Sequence, residues 1–300
     1  MKKILILDSN NLLYRIFFMN QNRATDVDLK LVFLRCVKSY VNLINGADEI
    51  YSVWDARIDA DSTNFRKDEV DVDYKGNRNY EDIEKAHEHD DAIMELSESL
   101  GIKNMFPKVM EADDVIAWLT KKISGQKTVV TVDQDMLQLI DRETSVYSPI
   151  KKVMITTDNF HETTGTTISN FLDYKALQGD KSDNIPGIPG VGKKTALKLV
   201  NEDIKATISS EDYKIYEKNK KLMDLSYGYT AHQGEEACYK QQLAKCNNIT
   251  TNLPKFKELC HKHELFSIVH KFNDWQSSFS TNKKVEEAVV SLMERLNIGV

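Results

Sequence analysis

The chain has 300 residues, 41% hydrophobic and 29% charged, enough apolar mass for one large domain or a domain with an appendage. No apolar run approaches the ~20 residues that span a bilayer, and Asp8 ends the run after Met1-Lys2-Lys3 too early for a signal peptide, so a cytoplasmic chain with no membrane association is expected. The net charge of −6 argues at face value against a nucleic-acid partner, which leaves the distribution of charge to decide.

In chain order, residues 4–8 read as a buried strand, and residues 28–45 repeat Leu31, Leu34, Val37, Val41 and Ile44 at helical spacing. Residues 50–55 form a second strand ending on Asp55. Residues 56–90 then break the pattern, dense in charge and poor in apolar residues, which favours a functional loop or short helices over the sheet edge. Residues 111–123 read as a helix opening on acids, which suit a helix N-terminus. A third strand follows at 128–133, with further candidates at 146–148 and 153–156. This alternation predicts an α/β core over residues 1–165, a mostly parallel twisted sheet flanked by helices. From 166 to 300 the pattern is helical, predicting a smaller subdomain. The four cysteines lack CxxC spacing, and Cys260, His261 and His263 are read as a reduced thiol and surface histidines rather than a metal site.

Asp8, Asp55 and Asp133 close successive strands, with Asp135 two residues on. In an open α/β sheet the ligand crevice lies beyond the carboxyl ends of the strands, so these acids converge. Glu111, Asp113 and Asp114 at a helix start, and Asp180 and Asp183 in Gly179-Asp180-Lys181-Ser182-Asp183, join them. One such aspartate alone is a turn former or helix cap. Nine together repel one another, and hard divalent cations relieve that repulsion; oxygen ligation suits Mg²⁺, with Mn²⁺ as substitute, better than zinc. With these nine discounted the net charge turns slightly positive.

The segment from Asn184 to Ala196 nearly fits a P-loop, since Gly187 is followed by four residues and then Gly192-Lys193. Lys194 stands where Ser or Thr should reach Mg²⁺, however, and the preceding residues look helical rather than strand-like. A tight turn between two helices fits better, with Gly190, Gly192, Lys193, Lys194 and Thr195 gripping backbone phosphate without reading bases.

Together, Leu7-Asp8 with Arg15, Val53-Trp54-Asp55-Ala56-Arg57, Phe65-Arg66, Tyr74-Lys75-Gly76-Asn77-Arg78, Glu111-Ala112-Asp113-Asp114, Thr131 to Met136 and Gly179 to Ala196 resemble the 5′-nuclease, or flap endonuclease, family. The resemblance is greatest to its bacteriophage members and to the nuclease domain of bacterial DNA polymerase I, and it spans roughly residues 4–225. It implies a PIN-like 5′-nuclease core, a helical arch or gateway at 56–90 and a helix–three-turn–helix element at 180–200. By the same resemblance Asp8, Asp55, Glu111 and Asp113, with Asp114 close by, would hold one Mg²⁺. Asp133, Asp135 and Asp180 would hold a second, with Asp183 direct or through water. Lys75 and Arg78 would contact the scissile phosphate, Arg15 and Arg66 would contact DNA, and the helix–three-turn–helix could bind K⁺.

The implied activity is 5′→3′ exonuclease and flap endonuclease cleavage with 5′-phosphate products. Its substrates would be branched, flapped or nicked duplex DNA and RNA–DNA hybrids, and its use RNA-primer removal in replication. A stand-alone monomer, recruited by single-stranded-DNA-binding or polymerase-clamp proteins, is expected. Two alternatives stay open: a non-catalytic structure-specific DNA-binding protein on the same fold, and a small-molecule phosphohydrolase. Ser9 and Gln134 depart from the family pattern without removing an acid.

Overall fold

The computed structural model describes residues 1–21, 28–56, 66, 75, 80–231 and 234–279. Six strands form one sheet: β1 (Lys3–Asp8), β2 (Glu49–Val53), β3 (Ile102–Met105), β4 (Gln126–Val130), β5 (Thr144–Ser148) and β6 (Val153–Ile155). Their spatial order is β3-β2-β1-β4-β5-β6, all neighbours parallel except the antiparallel β5–β6 pair. β1 lies inside the sheet and is covered on both faces, which explains its unbroken apolar run. Ile4 and Ile6 face a core with Val129 and Trp118, whereas Leu5 and Leu7 face one with Phe33, Leu34 and Val37. The chain leaves β1 toward β2 on one side and returns to β4 on the other. That reversal is the topological switch point, where a crevice opens beyond the strand ends.

Helices cover both faces. Leu29–Leu43 is capped by Asp28, whose carboxylate accepts the backbone N–H groups of Lys30 and Leu31. Ala112–Lys122 opens on a capping box in which Glu111 and Asp114 each accept the other's backbone N–H. Strand β3 escaped the sequence reading, because Lys103 and Asn104 interrupt its four residues and leave no apolar alternation. Lys103 is buried there against Glu49 at 2.8 Å. Strand β4 stops at Val130, so Asp133 lies in the turn beyond the strand rather than on it.

The second half is helical: Ile168–Gln178, Lys193–Leu199, Ser210–Met223, Leu225–Ala231 and Glu235–Cys246, with a two-residue ladder pairing Gly179–Asp180 to Ile185–Pro186. The last helices, Leu253–Lys262 and Phe272–Phe279, depart from the expected partition. They return to the first half, where Phe256, Leu259, Trp275 and Phe279 join the cluster around Leu5 and Leu7. Cys260 is buried in that cluster and its thiol is pushed up to about 12 by burial, the state of an inert apolar thiol. Of the charged stretch at 56–90, Ala56, Arg66, Lys75 and residues 80–90 are described, including the helix Tyr80–His87; the rest of the expected arch, with Arg57 and Arg78, lies outside the described residues. Among the described residues no helix is long and apolar enough to cross a membrane.

Candidate active site: a carboxylate-lined cavity at the strand ends

The loops that leave the strands are laced together by short polar side chains. Asp8 closes β1, caps the helix Ser9–Asn20 and accepts a 2.6 Å hydrogen bond from the Thr131 hydroxyl. Asn10 accepts the backbone N–H of Asp55 at 2.9 Å, and Asp55 in turn accepts that of Ala112 at 2.9 Å. Asn11 accepts the N–H of Val132 at 3.1 Å, and Asp133 accepts that of Asp135 at 2.8 Å. The result is a cavity of about 340 Å³ lined by Asp8, Asp55, Glu111, Asp113 and Asp133, with Asn10, Asn11, Tyr14 and Lys75 beside them. Five acids from four separate segments thus share one wall, as convergence on the strand ends requires.

Burial and mutual repulsion both disfavour ionisation here. Asp8 is raised to about 7, chiefly by burial and further by Asp133 and Asp55, with the Thr131 hydrogen bond opposing. Asp113 is raised well above the usual carboxylate range by burial, then by Asp133 and Asp8. Asp133 is raised mainly by burial, and Asp135 reaches about 7 through burial and the charge of Asp133. Such an all-oxygen, electrostatically unbalanced donor set fits a hard divalent cation. Among the described residues, however, no three acidic, histidine or cysteine side chains already converge on one point. The acids line a common wall and do not form a closed cage.

Asp135 and Asp180 are engaged with a cation. Lys175, from the helix Ile168–Gln178, lies 3.0 Å from Asp135 and 2.5 Å from Asp180. Burial alone would lower this lysine, but the two carboxylates outweigh it and hold it above its ordinary value. Burial would likewise raise Asp180, yet Lys175 and Ser182 hold it below the usual range. Asp183 lends its backbone carbonyl to the Lys75 N–H at 3.3 Å, and its charge bears on Asp133. Lys75 Nζ sits 2.7 Å from Glu111 at the cavity.

Two expectations need correction. Arg66, expected to touch DNA, is 3% exposed, and its guanidinium forms two 2.8 Å bonds to the carboxylate of Asp114. Asp114, expected beside the first metal, is fully buried in that pair and does not line the cavity. A bidentate guanidinium–carboxylate pair satisfies both groups, and removing one partner costs about 3–5 kcal/mol. Arg15 is half-buried with its charge near Cys36 and Tyr40 and does not line the cavity.

The glycine–lysine turn lies on the surface of the helical half. Gly190, Gly192, Lys193, Lys194 and Thr195 are all exposed. Gly179, where the turn begins, has φ 74°, and a Cβ there would run into the backbone of Ile185 and Gly187, so only glycine fits. Asn10, Asn11, Tyr14, Thr131 and Lys175 complete the site without belonging to the acidic pattern. The polar run Ser9-Asn10-Asn11 directly after an apolar strand is the one sequence signal that points to any of them.

Comparisons with known proteins agree with this architecture. A 5′-3′ exonuclease N-terminal resolvase-like domain matches residues 3–165, and a 5′-3′ exonuclease C-terminal SAM fold matches residues 166–247. The DNA polymerase I of Lactococcus lactis subsp. cremoris is 34% identical over 217 residues, covering 67% of this chain and 24% of the polymerase. The chain therefore spans about a quarter of the length of such polymerase relatives. The 5′-3′ exonuclease of Bacillus subtilis is 34% identical over 213 residues, covering 67% of this chain and 70% of that one. Among solved structures, the T5 5′-exonuclease with bound zinc ions superposes with a TM-score of 0.66 at 19% identity, covering 83% of this chain and 99% of that one, which is agreement in fold. Matched along both its α/β half and its helical half, the chain belongs to the 5′-3′ exonuclease family.

Proposed function

We propose that the chain is a divalent-metal-dependent 5′→3′ exonuclease and structure-specific flap endonuclease, hydrolysing phosphodiester bonds with 5′-phosphate products. The observation that carries this reading is the cavity in which Asp8, Asp55, Glu111, Asp113 and Asp133 meet at the switch point of the sheet. In this reading Asp8, Asp55, Glu111 and Asp113 would hold one Mg²⁺, and Asp133, Asp135 and Asp180, with Asp183 direct or through water, would hold a second. Divalent ions held there would supply an activated water and charge neutralisation for phosphodiester hydrolysis. Because Lys175 already neutralises Asp135 and Asp180, that pair offers the weaker of the two sites. The less balanced Asp8–Asp113 group takes the first ion.

Lys75 leaves Glu111 to donate to the scissile phosphate, where its charge counts most in the transition state. Arg78 assists it in the same role. The exposed turn with Lys193, Lys194 and Thr195 holds the duplex through its phosphates, and its backbone carbonyls could bind K⁺. Asn10 and Asn11 fix the loops that carry Asp55 and Asp133, which keeps the acids in register with the strand ends. The substrates are flapped or nicked duplexes and RNA–DNA hybrids, and the use is primer removal in the cytoplasm. Single-stranded-DNA-binding or clamp proteins of replication recruit it.

The deciding experiment is cleavage of an end-labelled 5′-flap and of a nicked RNA–DNA hybrid, in Mg²⁺ and in EDTA, with Asp55→Asn as control. Mg²⁺-dependent release of 5′-phosphorylated products that Asp55→Asn abolishes supports the reading. Binding without cleavage at any Mg²⁺ or Mn²⁺ concentration replaces it with the non-catalytic alternative.

A further inference from the structure

The guanidinium of Arg66 belongs to the charged insertion but ends inside the protein. Besides its two bonds to Asp114, it donates from Nε to the Leu222 carbonyl at 3.0 Å and lies 3.5 Å from the Glu111 carboxylate. One side chain therefore bridges the insertion, the opening of the Ala112–Lys122 helix and the end of the Ser210–Met223 helix. Asp114 passes the constraint on, because its carboxylate also accepts the backbone N–H of Glu111 at 3.1 Å. Glu111 in turn lines the cavity and meets Lys75.

A second observation points the same way. Gly228, in the helix Leu225–Ala231, packs directly on the pair, and a Cβ there would collide with both Asp114 Oδ1 and Arg66 Nη2. Gly228 is not at a turn, so close packing against this pair accounts for the missing side chain.

We propose that Arg66 is a positioning residue of the cavity: it makes no contact with nucleic acid, and by clamping Asp114 it sets the Glu111 side of the cation-binding wall. The inference rests on the reading of the cavity as a divalent-cation site. Its logic is that of a partner orienting a metal ligand from behind, where loss of the partner weakens metal affinity about 10–100-fold. A lysine keeps the charge but offers no planar fork to grip both carboxylate oxygens.

The test uses the full chain and three variants, Arg66→Lys, Arg66→Met and Gly228→Ala, with thermal melting to confirm folding. Mn²⁺ affinity is measured by titration without substrate, and affinity for a flapped duplex is measured in EDTA across a range of salt. The expected result is Mn²⁺ binding weakened about tenfold or more in Arg66→Met. Arg66→Lys and Gly228→Ala weaken it less, and the salt dependence of DNA binding is unchanged in all three. A phosphate contact predicts the reverse, a salt slope lowered by about one in Arg66→Met and kept in Arg66→Lys, which retains the charge. That lowered slope, or unchanged Mn²⁺ affinity in Arg66→Met, overturns the inference. Gly228→Ala keeps both ionic partners and serves as the milder lesion if Arg66→Met does not fold. A wild type that binds Mn²⁺ but cleaves nothing sinks the nuclease reading alone, since the positioning role is read without turnover.

Discussion

In the α/β half, Asp8 and Asp135 are buried, Asp113 and Asp133 are half-buried on the cavity wall, and each is pushed toward its neutral form. In the helical half, Lys193 and Lys194 stand on an exposed turn with solvent around them. The two regions thus store charge in opposite ways. Buried like charges are costly until a compact cation arrives. Exposed lysines are solvated and cost little, and they gain by releasing counterions when a polyanion binds. Lys175 joins the two halves, because its helix belongs to the second and its ammonium reaches Asp135 in the first. On the proposed function, catalysis falls to the carboxylate cluster and grip to the exposed turn, and each role can be broken separately.

The largest expected effect is at the cluster. Asp133→Asn should cut single-turnover cleavage by on the order of 10³-fold, since losing several kcal/mol of metal-assisted stabilisation multiplies at tenfold per 1.36 kcal/mol. Flap-DNA binding by the same variant should persist; a variant that binds no DNA erases the division between cluster and turn. Next is Lys75→Ala, expected to lower kcat by about 10²-fold, as for other single donors at a developing charge. A rise in KM with kcat intact would instead mark Lys75 as a ground-state contact.

At the turn, Lys193→Ala combined with Lys194→Ala should weaken duplex binding and reduce its salt slope by about two, one for each phosphate contact. An unchanged slope removes the turn from the DNA interface.

The smallest effect is on stability. Asp8 and Asp135 titrate near 7 in the folded protein, above the usual carboxylate value, so the metal-free native state holds more protons than the unfolded chain. Metal-free stability therefore falls as pH rises from about 4 through about 7, the sign opposite to that of a salt-bridged carboxylate. Mg²⁺ competes with those protons and removes the repulsion. The gain in Tm on adding Mg²⁺ should accordingly be larger at pH 8 than at pH 6, by a few degrees at about 2–4 °C per kcal/mol for larger domains. Equal gains at both pH values would mean that the cluster is not where the ion binds.

The legible parts of this molecule are those where a local signal and the tertiary role coincide. Asp8 closes the first apolar run and Asp55 follows the second, whose strand ends at Val53, so each run places its acid at the carboxyl end of a strand without fixing the last residue. Glu111 and Asp113 open a helix whose acids are visible in one dimension. Lys175 was not legible, because a lysine within a helix reads as a solvated face until Asp135 and Asp180 are seen on either side of it. Arg66 misled for the opposite reason. A cation in a charged stretch reads as a surface contact, and only the fold reveals its burial against Asp114. The helices Leu253–Lys262 and Phe272–Phe279 carry clear apolar faces, but nothing in their sequence says that they return to cover Leu5 and Leu7. Strand β3 is not legible because its two central residues are polar and are satisfied by Glu49 and Trp54, distant in sequence.

The most direct measurement is anomalous scattering from crystals of the chain grown with saturating Mn²⁺. The account predicts a strong peak within the wall formed by Asp8, Asp55, Glu111, Asp113 and Asp133, and a second, weaker one beside Asp135 and Asp180. A map with no peak in that cavity, or with peaks only at surface carboxylates, would contradict it.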